Sequence, residues 1–182
     1  MNSKKIPNEY VELLNIDKIL KNTKNLDKLK VTLKRDKIKG VGLYTTKHIK
    51  TGEIIAYYKM TTFDYHHYDS PTNYVYAFDV YTLNGKESKN LIGDIDLNSL
   101  SEPLNDIPYW ALFVNEPSIG QNLNAEININ TEENYKISKR IKCGTQLIYK
   151  LIASCDIFPN EEITLYYGKE YPRTYEIGVY LN

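Results

Sequence analysis

The chain has 182 residues, 42% of them hydrophobic, and its 23 Lys and Arg are balanced by 23 Asp and Glu. That size and composition suit one folded domain with a real core, and the zero formal charge argues against nucleic-acid backbone binding as the main activity, so no direct nucleic-acid partner is expected. Two cysteines, Cys143 and Cys155, are too few for a disulfide framework or a zinc site, and they read as ordinary strand residues in a reducing compartment.

The N-terminal stretch "MNSKKIPNEY" lacks the apolar run of a secretory signal, and nothing approaches the roughly 20 apolar residues needed to span a bilayer. The expectation is a soluble cytosolic or nuclear protein, neither secreted nor membrane-bound. "PNEYVELLNIDKILKNTKNLDKLK" then places Val11, Leu14, Ile16, Ile19 and Leu20 at near-helical spacing, with Pro7 and Asn8 as start signals and lysines toward the end. This predicts one amphipathic helix ahead of the main fold, within an N-terminal extension over residues 1–30.

From Val31 the texture changes to short segments rich in Val, Ile, Thr, Tyr and Phe, separated by Gly, Asn, Asp and Pro. Strands are predicted at Val31 to Lys34, Gly42 to Thr45, Glu53 to Lys59, Tyr74 to Leu83, Asn90 to Ile95, Ala125 to Ile129, Gln146 to Ala153 and Glu162 to Tyr166. Asn84-Gly85 supplies the positive φ that a type I′ hairpin turn demands. The class is mainly β (α+β), built from many small antiparallel pieces.

Several motifs fail as chemistry. Gly40-Val41-Gly42 leads into a strand without the third glycine and helix of a dinucleotide fingerprint, so it reads as a tight turn exposing backbone to close approach. His66 and His67 would face opposite sides of an extended chain and lack further ligands, so they read as surface or loop residues and no metal is expected. Ser118 has no nucleophile-elbow context. The chain carries 17 tyrosines, so no single tyrosine is informative by type alone.

Order is more informative than any one piece. "KGVGLYTTKHIKTGEIIAYY", "NYVYAFDV", "LFVNEPSIGQNLNAEI" and "IASCDIFPNEEITLYYGKEY", taken in sequence, resemble the SET domain of protein-lysine methyltransferases over residues 31–171, leaving 172–182 as a tail. The resemblance implies a β-clip-like fold of small curled antiparallel sheets with a knot-like C-terminal segment, S-adenosylmethionine as methyl donor, and a protein substrate carrying the target lysine, a histone tail being one such segment. A homodimer is one assembly it allows.

Carried over by position, the resemblance gives Gly40, Val41, Gly42, Asn115, Glu116 and Tyr171 to the cofactor. It gives Tyr167 the central catalytic role and Tyr58, Tyr76 and Tyr166 to the lysine channel. The residue types suit the chemistry. Methyl transfer from a sulfonium to an amine is an in-line displacement, so the protein must chiefly align the reacting atoms and strip away water. A tyrosine-lined channel disfavours the charged form of a lysine whose free pKa is about 10.4, while aromatic faces hold cationic forms by cation–π attraction.

This sequence departs from the family pattern at Leu112, Glu116, Leu123 and Asn160, which stand where the family has an arginine, a histidine, a proline and a glycine. A carboxylate at 116 near the donor's cation would be attractive, whereas a buried unpaired one would be costly. The departures leave open a second reading, a catalytically inactive SET-like module that binds peptides. The cysteine-rich zinc module that often follows SET domains is absent from the sequence, so "YPRTYEIGVYLN" or a partner would have to close the channel. Asn122 and Asn124 are expected to tie the loop over the C-terminal segment.

Overall fold

A computed structural model of the chain describes residues 14–70, 76–81, 87–129, 141–169, 171 and 173–178. Within the described part of the predicted helix, α1 spans Ile16–Asn22 and ends at Thr23. Its cap is Asn15, whose side-chain oxygen accepts from the Asp17 and Lys18 amides at 3.1 and 3.4 Å, with Asp17 in the first turn and Lys21 in the last. Pro7, Asn8 and Val11 lie outside the described residues. Ile16 and Ile19 are buried, and α1 rests against β1, so its apolar face packs on the domain.

A hairpin follows. β1 (Val31–Asp36) pairs antiparallel with β2 (Gly40–Thr45), from Val31 opposite Thr45 to Asp36 opposite Gly40. The Asp36 side chain closes the turn by accepting from the Ile38 and Lys39 amides at 2.7 and 2.8 Å, and Gly40 supplies the left-handed φ of 81° that ends it.

The larger sheet runs in the order β4-β5-β3-β7-β6, with β3 at Ile54–Asp64, β4 at Phe78–Tyr81, β5 at Glu87–Ile95, β6 at Ala125–Asn128 and β7 at Gln146–Ala153. All its pairings are antiparallel. β7 alternates exposed or half-buried with buried residues, and Leu147, Tyr149, Leu151 and Ala153 point into the core, a clean period of two. β3 departs from alternation because its register with β7 shifts between Ile54 and Ala56, and Ile55 to Tyr58 are all buried. The Asn84-Gly85 turn lies outside the described residues, although Tyr81 stands opposite Glu87 in the antiparallel ladder on either side of it.

Glu162 to Tyr166 is not a strand. It is held by isolated bridges from Tyr44 to Glu162 and, in parallel sense, from Asn115 to Thr164. Ile163 N–H donates to Leu43 O at 2.8 Å on one side, and Leu165 N–H donates to Asn115 O at 2.9 Å on the other. Asn124 closes the loop across it: its Nδ2 donates to Glu162 O and its Oδ1 accepts from Thr164 N–H, both at 2.8 Å. The segment is thus threaded between β2 and the 115–125 loop, with its backbone groups satisfied by a carboxamide in place of a ladder. Asn122 contributes through its main-chain carbonyl, which accepts from Thr164 Oγ1 at 2.8 Å.

The cysteines are not strand residues. Cys143 lies in the turn before β7 and Cys155 in the bend after it, both exposed and free. His66 and His67 sit exposed in the turn after β3. Among the described residues no helix is long and apolar enough to cross a membrane.

Candidate active site

Three consecutive residues, Val114, Asn115 and Glu116, organise the site. They follow a buried 3₁₀ turn at Ala111–Phe113, packed with Trp110 into the core, which fixes their position.

Asn115 reaches the glycine strand. Its Nδ2 donates to Val41 O at 3.3 Å and to Glu162 Oε1 at 3.1 Å. A Cβ built on Gly42 would lie 3.0 Å from that Nδ2 and 3.1 Å from Glu162 Oε1, so Gly42 is a close-approach glycine while Gly40 is a conformational one. Glu162, whose side chain is 5% exposed, also takes Lys39 Nζ at 2.8 Å and Gln121 Nε2 at 3.1 Å. The adjacent carboxylates Glu161 and Glu162 therefore part. Glu161 stays outside and caps the Phe158 amide at 2.9 Å, whereas Glu162 is the buried hub of a network with Lys39, Asn115 and Gln121.

Val114 holds the tyrosine. Tyr167 Oη donates to Val114 O at 2.5 Å, and burial pushes its pKa well above the ordinary tyrosine value, helped by Tyr171, Tyr175 and Glu116 nearby. The ring of Tyr167 meets that of Tyr171 edge-on at 4.8 Å. Tyr58, buried on β3, donates its hydroxyl to Tyr76 O and packs edge-on against Phe78 at 4.6 Å. Burial raises the pKa of both Tyr58 and Tyr76, so all three phenols stay protonated at neutral pH. Tyr58, Tyr76, Phe78, Tyr166, Tyr167 and Tyr171 line one cleft of about 1110 Å³. Leu112, Val114 and Leu123 add apolar wall; Asp79 and Glu126 are the charged groups among its described lining residues.

Glu116 is buried and fully partnered. Its side chain is 1% exposed and receives Arg173 Nη2 at 2.5 Å and Nε at 2.8 Å in a forked pair. Tyr167 N–H donates to it at 2.9 Å and Tyr175 Oη at 3.1 Å. Burial alone would raise its pKa, but these donors outweigh that and hold the carboxyl below its usual range. Tyr175 in turn is pushed up to about 12, by burial and by its bond to Glu116.

The structure thus gathers the sequence-derived residues into two linked groups. Gly40, Val41 and Gly42 lie on the strand that Asn115 bonds; Tyr58, Tyr76, Tyr166, Tyr167 and Tyr171 line the cleft to which Val114 also contributes, and Tyr171, expected at the cofactor, packs there against Tyr167. Lys39, Gln121, Glu162, Arg173 and Tyr175 were not singled out from sequence, because their roles are pairings between distant residues that leave no local pattern. Asn160 stands where the family has glycine and adopts the φ of 72° that position demands, as asparagine can.

The sequence profile of the SET domain matches residues 40–168, and the chain belongs to the SET-domain family. Solved structures superpose on it at TM-scores below 0.5. A candidate histone methyltransferase of Plasmodium falciparum superposes with a TM-score of 0.48 at 19% identity, covering 79% of this chain and 96% of that one. The methyltransferase domain of human PR domain-containing protein 2 gives 0.44 at 17% identity, covering 89% and 90%. KRYPTONITE, solved with mCHH DNA, an H3(1–15) peptide and S-adenosylhomocysteine, gives 0.45 at 17% identity, covering 79% of this chain and 24% of that one. No curated protein sequence matches the chain.

Proposed function

We propose that the chain is an S-adenosylmethionine-dependent protein-lysine N-methyltransferase with Tyr167 as its central catalytic residue. The observation that carries this reading is the junction at Val114–Asn115. One residue anchors the hydroxyl of a tyrosine-lined cleft, and the next bonds the Val41 carbonyl of the strand that carries Gly40 and Gly42.

The residues present fit the donor. Gly40 leaves its backbone open, Gly42 lets Asn115 and Glu162 approach closely, and Asn115, its Nδ2 held by Val41 O and Glu162, would offer its Oδ1 to a polar headgroup; Tyr171 stands in the tyrosine cleft against Tyr167. When bound, the donor supplies a sulfonium methyl group. Glu116 contributes to this side by tethering the backbone at Tyr167, since its carboxylate is occupied by Arg173.

Tyr167 is unsuited to act as a base, because its raised pKa leaves no phenolate at neutral pH. Its single proton is committed to Val114 O, so the remaining lone pairs of Oη are what it offers, a weak acceptor suited to partly positive C–H groups. A lysine entering between Tyr58, Tyr76 and Tyr167 loses water, which lowers its pKa toward the neutral amine. The rings meanwhile hold its cationic forms by their faces.

Asp79 and Glu126, both exposed on the cleft, favour a substrate segment with basic residues around the target lysine, as a histone tail has. Isothermal calorimetry with S-adenosylmethionine and S-adenosylhomocysteine tests the reading: saturable one-site binding is expected, and absence of binding to either removes it.

A further inference from the structure

One buried charge pair joins the two ends of the site across 57 positions of chain. Arg173, its side chain 15% exposed, does more than fork onto Glu116. Its Nη2 also donates to Gly168 O at 2.6 Å and its Nη1 to Tyr171 O at 3.1 Å. Its guanidinium carbon lies 5.2 Å from the centre of the Tyr166 ring and 5.5 Å from that of Tyr171. From the other side, the Glu116 carboxylate holds the Tyr167 N–H. The pair therefore grips Tyr166 to Gly168 and Tyr171 from both sides, through backbone atoms next to the rings that line the cleft.

We infer that Glu116 and Arg173 form a positioning clasp for Tyr167 and Tyr171. The inference rests on the methyltransferase reading above. Three observations favour positioning over general support of the fold. The hydrogen bonds end on Tyr167 N, Gly168 O and Tyr171 O, away from the β3–β7 core. Glu116 directly follows Asn115, so a shift at the clasp moves the residue tied to the glycine strand. Gly178 extends the docking, its N–H donating to Pro117 O at 2.9 Å, and a side chain there would run into Ser118 O and Gln121 O. The planar fork is what lets one cation bind a carboxylate and two carbonyls at once, which an ammonium cannot reproduce.

The test uses the full chain, Arg173→Lys, Glu116→Gln and the double variant. S-adenosylhomocysteine binding is measured by calorimetry, turnover with a basic lysine peptide by mass spectrometry, and unfolding by thermal scan. Each single variant should lower kcat about tenfold or more, since small misplacements of reacting groups cost up to about 10²-fold. Peptide KM should stay within about threefold, the split expected when alignment rather than ground-state binding is lost. The double variant should be no worse than the poorer single, because both remove one device. Folded variants that keep wild-type kcat, or losses that add independently, overturn the clasp while leaving the methyltransferase reading intact. If Glu116→Gln unfolds below the assay temperature, Arg173→Lys, which keeps the charge and loses the fork, carries the same outcomes. A wild-type chain that binds no S-adenosylhomocysteine overturns the methyltransferase reading itself, and the clasp with it.

Discussion

The hydroxyl of Tyr167 donates to the carbonyl of Val114 at 2.5 Å, joining the C-terminal segment to the residue just before Asn115. That bond fixes where the phenol oxygen sits and which way its lone pairs face. Tyr167→Phe removes the oxygen and little else. Turnover should fall by about 10-fold to 10²-fold, or the number of methyls added should change, while the unfolding midpoint moves little. Steady-state kinetics and product mass spectra check this; unchanged rate and product pattern would remove Tyr167 from the central role.

The two glycines before the strand should respond differently to alanine. Gly42→Ala places a methyl 3.0 Å from Asn115 Nδ2 and from Tyr44 Cε2, so the expected loss is in donor affinity, read by calorimetry. Gly40→Ala meets nothing within 4 Å but must hold a φ of 81°. Its expected cost is in stability, about 1–2 kcal/mol by chemical denaturation, with donor affinity retained in the folded protein.

Asn124 is the carboxamide that satisfies the threaded segment on both its C=O and N–H sides. Asn124→Ala should destabilise by about 1–3 kcal/mol, because the Glu162 carbonyl and Thr164 amide lose their partner. Urea unfolding monitored by tyrosine and tryptophan fluorescence measures it, and an unchanged midpoint would contradict the role.

Glu116 links stability to pH with a definite sign. Its folded-state pKa lies below the unfolded value of about 4.5, so its contribution is present above that pH and is lost as pH falls through the folded pKa. Asp36, Glu53 and Asp156 are also lowered, through bonds to nearby amides or Lys30, and they contribute in the same direction. The readout is therefore a difference: Glu116→Gln should start less stable at pH 7 and show a shallower loss of unfolding temperature below pH 5 than the wild type. Parallel curves would remove Glu116 from the linkage.

Substrate charge preference should reside in Asp79 and Glu126. Neutralising each, as Asp79→Asn and Glu126→Gln, should raise KM for a basic peptide by up to about 5-fold, as expected for exposed charge pairs, and the effect should shrink at high salt. kcat should be unaffected. A peptide without basic flanking residues should show no difference between wild type and variants.

Much of this architecture was legible in the sequence where it depends on local pattern. Gln146–Ala153, a run rich in aliphatic, β-branched and aromatic residues, is a strand with the bounds expected, and the motif order pointed to Asn115 and Tyr167, which the structure joins through Val114. The predicted strand at Glu162 to Tyr166 dissolved because its partners are single bridges to β2 and Asn115, and hydrophobic alternation cannot report which backbone groups find a ladder. The described helix begins at Ile16 because Asn15 caps it, a start signal of the same kind as Asn8 and not separable by composition. Glu116 looked like a liability in sequence since its partner stands 57 positions away, and nothing local marks Arg173 as the residue that neutralises it.

The most direct test of the central claim is methyl transfer itself. The purified chain, incubated with isotopically labelled S-adenosylmethionine and basic lysine peptides, should place label on a lysine ε-amine in tandem mass spectra, and Tyr167→Phe should reduce it or alter its multiplicity. Donor bound with no label on lysine in any basic peptide or histone would contradict the account.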